Sequence, residues 1–235
     1  MDVRYIETVD NQFLPEVIVL RMTYMSIINY SYLVIDRSTN HSVIIDPAWN
    51  IEKIFDALNR TGTTLNGILL THSHPDHTHL AEPLATKYHC PIWMSQEEIA
   101  ISGFNIQPLK SVDIMPWSVG QMTIQPIPTP GHTSGSTCYL IGDNLFSGDT
   151  LFAEGCGICP DMESAYDMFA SLERLKTRLR PETKVFPGHV FGKPPGQLFS
   201  QLLKENIYLQ FRNPHDFAAY RLRKGQNKSN HFNFR

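Results

Sequence analysis

The chain has 235 residues, a formal net charge of −3 and 42% hydrophobic residues, enough to bury a core as one domain with an appendage. That charge and a pI of about 6.3 advertise neither the broad basic surface of a nucleic-acid binder nor a polybasic membrane-surface segment. No apolar run is long enough to span a bilayer, the opening Met1-Asp-Val-Arg-Tyr-Ile-Glu7 lacks the order of a secretory signal, and four cysteines in this length make no disulfide scaffold, so the expected location is the cytoplasm.

Residues 16–22, 29–35 and 42–45 are short, rich in Val, Ile and Tyr and separated by polar turns, which predicts three strands. Apolar positions at 51, 54, 55 and 58 have helical spacing, and Thr61-Gly62 ends that helix. The apolar stretch 65–70 reads as a buried strand and runs straight into Thr71-His-Ser-His-Pro-Asp-His77. A helix over 79–88, a strand over 91–94 and a helix over 96–102 follow.

The second half continues in the same style. Residues 121–127 form a predicted strand, followed by the loop Thr129-Pro-Gly-His-Thr-Ser-Gly-Ser136 and a strand over 137–141. Residues 144–146 lead into Ser147-Gly-Asp-Thr150. Apolar residues at 166, 169, 172, 175 and 179 predict an amphipathic helix, and a strand over 184–186 ends in Pro187-Gly-His189. Beyond Gly192-Lys-Pro-Pro-Gly196, a natural boundary, helices are expected over 197–206 and 215–223, then a polar tail. The expected organisation is a catalytic domain over 1–195 and a short helical segment with a basic tail over 196–235.

Chemistry concentrates at four strand-to-loop exits: the run 72–77, His132, Asp149 and His189. Three of them carry a glycine beside the candidate ligand (Gly131, Gly148, Gly188), which allows a sharp turn and close approach. Imidazoles and carboxylates leaving strand ends together repel or sit unpaired unless a cation gathers them, and a divalent metal does so. A lone His after Pro-Gly is ordinarily a plain loop residue; four such exits in one chain are not plausibly all plain.

The motifs Thr71-His-Ser-His-Pro-Asp-His77, Thr129-Pro-Gly-His132, Ser147-Gly-Asp-Thr-Leu-Phe152 and Pro187-Gly-His189 resemble, in order and spacing, those of the metallo-β-lactamase superfamily and its glyoxalase II-like branch. The resemblance covers about residues 16–192. It implies a four-layer αβ/βα sandwich, of α/β class, with the site at one edge and a short C-terminal helical extension. Carried over by position, it places His72, His74 and His132 on a first metal and Asp76, His77 and His189 on a second. Asp149 bridges them, Asp76 and Asp149 take catalytic roles, and Asp46 orients a ligand imidazole. Donors without thiolate suit zinc, two ions per chain, with iron or manganese also fitting. Such a pair activates water near neutral pH for attack on a carbonyl, and a thiolate leaves without a strong general acid. A thioester is therefore a congenial substrate.

Departures from glyoxalase II narrow the substrate. That family commonly reads Gly-Cys-Gly-Lys-Phe where this chain has Gly155-Cys-Gly-Ile-Cys-Pro160, so Ile158 replaces a glutathione-contacting Lys. Gly188-His-Val-Phe191 likewise puts Phe191 where a Tyr hydroxyl is expected. Arg221, Arg223 and Lys224 resemble the basic end of the family's helical domain and, with Arg212, Lys228 and Arg235, are read either as a solvated tail or as contacts to phosphate or an acidic partner. Acyl-carrier proteins are acidic and present a thioester on a mostly neutral arm. As a whole the chain is similar to the zinc-dependent hydrolases of bacterial polyketide synthase clusters. That implies a thioester hydrolase acting on an acyl-carrier protein or a small-molecule thioester, in polyketide or antibiotic biosynthesis.

Other readings remain open at this point. Glyoxalase II itself is one, and a mononuclear iron persulfide dioxygenase is another, although the string Gly-Cys-Gly-Arg-Thr-Asp-Phe of that family is absent. A nuclease or a non-enzymatic metal binder is less congenial. Cys156 and Cys159 read as loop residues before a redox pair, His79 as a helix-start or surface residue, and Trp93 and Trp117 as packing under loops before stacking on substrate.

Overall fold

A computed structural model describes residues 14–225; the opening heptapeptide, Lys228 and Arg235 lie outside the described residues. In chain order the first half comprises β1 (Glu16–Tyr24), β2 (Ile27–Asp36), β3 (His41–Ile45), α1 (Ile51–Thr61), β4 (Thr64–Leu69), α2 (Pro75–Thr78), α3 (Ala81–Tyr88), β5 (Ile92–Ser95), α4 (Gln96–Ser102) and β6 (Leu109–Val112). The second half comprises β7 (Trp117–Val119), β8 (Met122–Pro128), β9 (Thr137–Ile141), β10 (Asn144–Gly148), α5 (Met162–Arg178), β11 (Lys184–Pro187), β12 (Gln197–Leu198), α6 (Phe199–Glu205), a 3-10 turn (Ile207–Leu209) and α7 (Pro214–Arg221).

Each half makes a six-stranded mixed sheet, in the order β1-β2-β3-β4-β5-β6 and β12-β11-β10-β9-β8-β7. The antiparallel pairs β1/β2 and β2/β3 follow tight turns. The parallel pairs β3/β4, β4/β5 and β5/β6 need crossovers, which the first-half helices supply. In the second sheet α5 is the crossover between the parallel neighbours β10 and β11.

Side-chain alternation makes the layers. On β2, Leu33 and Ile35 pack with Ile54, Leu58 and Leu84 of α1 and α3. Tyr32 and Val34, one residue out of phase, face Ile124, Tyr139, Phe146 and Phe186 of the opposite sheet. A third cluster joins Leu145 and Val185 to Met168, Leu172 and Leu175 of α5 and to Phe199 and Phe217 of α6 and α7. The result is the expected helix–sheet–sheet–helix sandwich, and residues 199–221 share their core with α5. Trp93 and Trp117 pack on each other at 5.4 Å. Among the described residues no helix is long and apolar enough to cross a membrane.

Several boundaries differ from the sequence expectation. The helix expected from 79 starts at Ala81, because Leu80 (φ −103°, ψ 6°) breaks it from α2. Gln197 and Leu198 pair with Val185 and Lys184 as an edge strand before α6 begins. The edge strands β6 and β7 have four and three residues, too few to show a period.

Candidate metal centre

Parallel neighbours release their loops side by side at carboxyl ends, the usual place for a site in such sheets. Ile45 pairs with Leu69, so Asp46 and the 71–77 run leave the first sheet together. Gly148 pairs with Pro187, so Asp149 and His189 leave the second sheet together. Cross-sheet bonds then join the two edges: Thr137 N–H donates to Thr71 O (2.9 Å), Tyr30 N–H to Gly188 O (2.9 Å) and the Tyr139 hydroxyl to Leu70 O (3.0 Å). Glycine is required where the edges meet. A Cβ on Gly148, at φ +48°, would lie 2.3 Å from Thr71 Oγ1, and one on Gly188 would lie 2.5 Å from His77 Cε1 and 2.6 Å from Asp149 Oδ1.

All seven expected side chains converge here. His72 Nε2 and His132 Nε2 lie 3.0 and 3.1 Å from His74 Nδ1. Asp149 Oδ2 is 3.6 Å from His132 Nε2 and 3.5 Å from His189 Nε2, and its Oδ1 is 3.5 Å from His77 Nε2. Asp76 Oδ2 is 3.3 Å from His189 Nε2 and 3.7 Å from His77 Nε2. Three overlapping sets could each hold a metal ion: His72, His74 and His132; His72, His77 and Asp149; Asp76, His77 and His189.

Outer hydrogen bonds dictate which imidazole nitrogen faces inward. His132 Nδ1 donates to Ile158 O (2.9 Å) and His189 Nδ1 to Ile28 O (2.8 Å), since a carbonyl can only accept. His77 Nδ1 pairs with Asp46 Oδ2 (2.9 Å). Thr71 Oγ1 donates to Asp46 Oδ2 (2.7 Å) and so accepts from His72 Nδ1 (3.0 Å). In the neutral tautomer four Nε2 lone pairs therefore point at one another and at two carboxylates, an arrangement a cation relieves. Asp76 Oδ1, His77 Nε2 and Asp149 Oδ1 are buried with no hydrogen-bond partner among the described residues. At roughly 1–3 kcal/mol per unsatisfied buried group, such a cluster fits a divalent ion held by nitrogen and oxygen.

Electrostatics divides the cluster. Burial, then the neighbouring imidazoles of His77, His132 and His74, holds His72 well below the ordinary histidine range. Burial also opposes charge on His77, but Asp149, Asp76 and Asp46 outweigh it and push its pKa up to about 10. Burial would raise the Asp149 carboxyl, yet His189, His77 and His132 hold it below the usual range. A proton on His77 thus occupies a position that a metal would take. Zinc addition at pH 8 is expected to release protons, measured as acidification of a weakly buffered solution. In metal-free protein the raised His77 pKa stabilises the fold fully below about pH 6.5. That stabilisation should fade as pH rises to about 10, read as a falling melting temperature that zinc abolishes.

Two contributors escaped the sequence reading. Asn29 Nδ2 donates to Asp76 O (2.7 Å) and Oδ2 (3.0 Å), while Trp49 Nε1 donates to Asn29 Oδ1 (2.7 Å). The indole sets the amide, and the amide sets the Asp76 carboxylate. The available signal was an Asn inside the apolar run Ile27-Ile-Asn-Tyr30. His79 packs on Trp49, 5.1 Å between ring centroids.

The cluster opens into a cavity of about 610 Å³ lined by Phe152, Ile158, Pro160, Phe191 and Tyr208, with Glu154 and Arg221 as further polar members. Arg221 is buried, and its Nε donates to Gly157 O (2.7 Å). Arg223 and Lys224, read from the sequence as a solvated tail or as contacts to phosphate or an acidic partner, are not among the residues that line the cavity. Both are exposed beyond the end of α7, and the Arg223 guanidinium lies over the Tyr220 ring at 3.5 Å. Cys156 and Cys159 are buried free thiols whose pKa values burial raises, Cys159 to about 11; such thiols are poor nucleophiles at neutral pH.

A model of the metallo-beta-lactamase superfamily matches residues 27–189. The chain is 47% identical over 206 residues, 87% of its length and 92% of the relative's, to the "Probable polyketide biosynthesis zinc-dependent hydrolase BaeB" of Bacillus velezensis. It is 34% identical over 163 residues, 69% of its length and 62% of the relative's, to a hydroxyacylglutathione hydrolase of Alkalilimnicola ehrlichii. Among solved structures, a metallo-beta-lactamase from Staphylococcus aureus superposes with a TM-score of 0.81 at 24% identity, covering 89% of this chain and 67% of that one.

Proposed function

The chain belongs to the metallo-beta-lactamase superfamily, and from that premise we propose that it is a metal-dependent hydrolase cleaving acyl thioesters carried by an acyl-carrier protein in polyketide biosynthesis. The observation that carries the reading is the ring of inward nitrogen and carboxylate donors at the floor of an apolar cavity. His72, His74 and His132 would hold one zinc ion, and Asp76, His77 and His189 a second, with Asp149 between them. Bound zinc supplies Lewis acidity, polarising a carbonyl and bringing the deprotonation of water down to a pKa of ~7.

The protein's own groups do the rest. Asp76 and Asp149, which line the cavity, orient the attacking water and receive its proton. Asn29 donates to Asp76 Oδ2 and to the Asp76 carbonyl, fixing the carboxylate against His77 and His189. A thiolate with a pKa near ~8.5 leaves without protonation, so the cavity needs no separate acid. Phe152, Ile158 and Phe191 offer apolar surface to a largely uncharged arm. The relative named as a polyketide biosynthesis hydrolase supports the pathway.

Hydrolysis of a glutathione thioester is the second reading, favoured by the likeness to hydroxyacylglutathione hydrolases. Ile158 on the cavity wall counts against it, because a leucine-sized apolar side chain offers no grip on a charged tripeptide. A panel of acyl-glutathione, acyl-coenzyme A, acyl-pantetheine and acyl-carrier substrates, run with metal analysis, decides between them. The acyl-carrier substrate is expected to exceed acyl-glutathione in kcat/KM by at least about tenfold, or ~1.4 kcal/mol. Ile158→Lys should narrow that ratio. A preference for S-lactoylglutathione would replace the substrate and keep the hydrolase; one iron per chain with oxygen consumption would replace both.

A further inference from the structure

We infer that Glu98 is a positioning residue whose carboxylate clamps the two loops bearing His72, His74 and His132 and so sets the spacing of that trio; the inference rests on the metal reading above. Glu98 sits in the first turn of α4 and is 2% exposed. Its Oε1 accepts from Ser73 N–H (2.8 Å) and from the Ser73 hydroxyl (2.6 Å). Its Oε2 accepts from the Thr133 hydroxyl (2.7 Å). Ser73 lies between His72 and His74, and Thr133 follows His132 directly. One buried carboxylate therefore holds the chain next to all three imidazoles.

The sequence around it offers a plainer role that the structure does not fill. Ser95-Gln-Glu-Glu98 has the spacing of a capping box, in which the Glu side chain turns back to the N-cap N–H. Ser95 Oγ does accept from Glu98 N–H (3.1 Å). The Glu98 carboxylate points instead to the two ligand loops, and the Ser95 hydroxyl donates across to Gly135 O (2.6 Å). The 129–136 loop is pressed onto the helix so closely that a Cβ on Gly135 would lie 2.2 Å from Glu98 N.

The chemistry suits a carboxylate. Three donors converge on it, whereas an amide offers one accepting oxygen. Moving either loop against the other would open the 3.1 Å separation between His132 Nε2 and His74 Nδ1 and loosen this half of the centre while leaving the Asp76, His77 and His189 half in place.

The test titrates Zn²⁺ into full-length protein against a competing chelator, with thermal melts in parallel. Wild type is expected to bind in two steps. Glu98→Ala should weaken one step by roughly 10–100-fold, the size of effect seen for groups supporting metal ligands, and leave the other in place, while Glu98→Gln, with one accepting oxygen and no charge, recovers only part of the loss. Equal affinities in Glu98→Ala and wild type would overturn the inference alone; a wild type that takes up no divalent cation would overturn the metal reading with it. Should Glu98→Ala fail to fold, Thr133→Val, which removes the donor to Oε2 together with the hydroxyl contact to Ser136 Oγ (2.7 Å), must weaken the same step, and an unchanged titration there counts against the clamp.

Discussion

Replacing Asp149 by alanine is expected to cut kcat/KM by at least roughly 10³-fold, the several kcal/mol attributed to a metal centre's stabilisation of developing charge, and to lower bound zinc measured after dialysis. The carboxylate stands between the two imidazole groups, Oδ2 toward His132 and His189 and Oδ1 toward His77. Among the described residues His72 and His77 each belong to two of the three candidate sets, and Asp149 stands with both of them in the set that links the others. Its loss also removes the group that contributes most to the raised His77 pKa. The variant should therefore release fewer protons on zinc addition than wild type. The fold should survive, because the cross-sheet bonds at Thr71, Tyr30 and Tyr139 do not involve this residue. Turnover near the wild-type rate with full metal content would sink the proposed centre.

Asp46→Ala should act first on stability. Asp46 is 2% exposed and accepts from Thr71 N–H (2.8 Å), Thr71 Oγ1 (2.7 Å) and His77 Nδ1 (2.9 Å). Removing one member of a buried pair typically costs about 3–5 kcal/mol, and at 2–4 °C per kcal/mol for a chain of this size that is a fall in Tm on the order of 10 °C. Alanine is further penalised at the left-handed φ of +47° found here, which asparagine tolerates. Asp46→Asn should thus regain much of the Tm, its oxygen still accepting from Thr71. It should not regain zinc affinity, because an amide cannot satisfy Thr71 and the His77 Nδ1–H together. Calorimetry with chelator titration separates the two effects; equal recovery of both would mean Asp46 serves packing alone.

The two positions differ in how they announced themselves. Asp149 sits in Ser147-Gly-Asp-Thr150, a glycine-flanked strand exit visible by inspection. Asp46, in Ile45-Asp-Pro47, gains its meaning only from a known family pattern. Asn29 and Glu98 had no such marking. Asn29 is 47 residues from Asp76, and Glu98 is 25 from Ser73. Both partnerships form only because sheets and helices pack, so local periodicity carries no trace of them. Arg223 and Lys224 lie exposed beyond α7, a placement that local sequence does not specify, since charge near a site in sequence is no measure of where a helix end points.

By itself the order of residues determined the alternation of strands and helices, the layered class of the fold, and the chemical identity of the seven side chains that meet at the site. Each of these depends on short-range facts: the two- and 3.6-residue periods of burial, glycine at turns, and donor types. The tertiary structure alone decided which nitrogen of each imidazole faces inward and that Asn29, Trp49 and Glu98 are among the buried partners that hold the site. The edge strands β6, β7 and β12 were also settled there. Those features depend on which strands lie next to each other and on hydrogen bonds between segments far apart in the chain, and such contacts exist only once the two sheets have closed on one another.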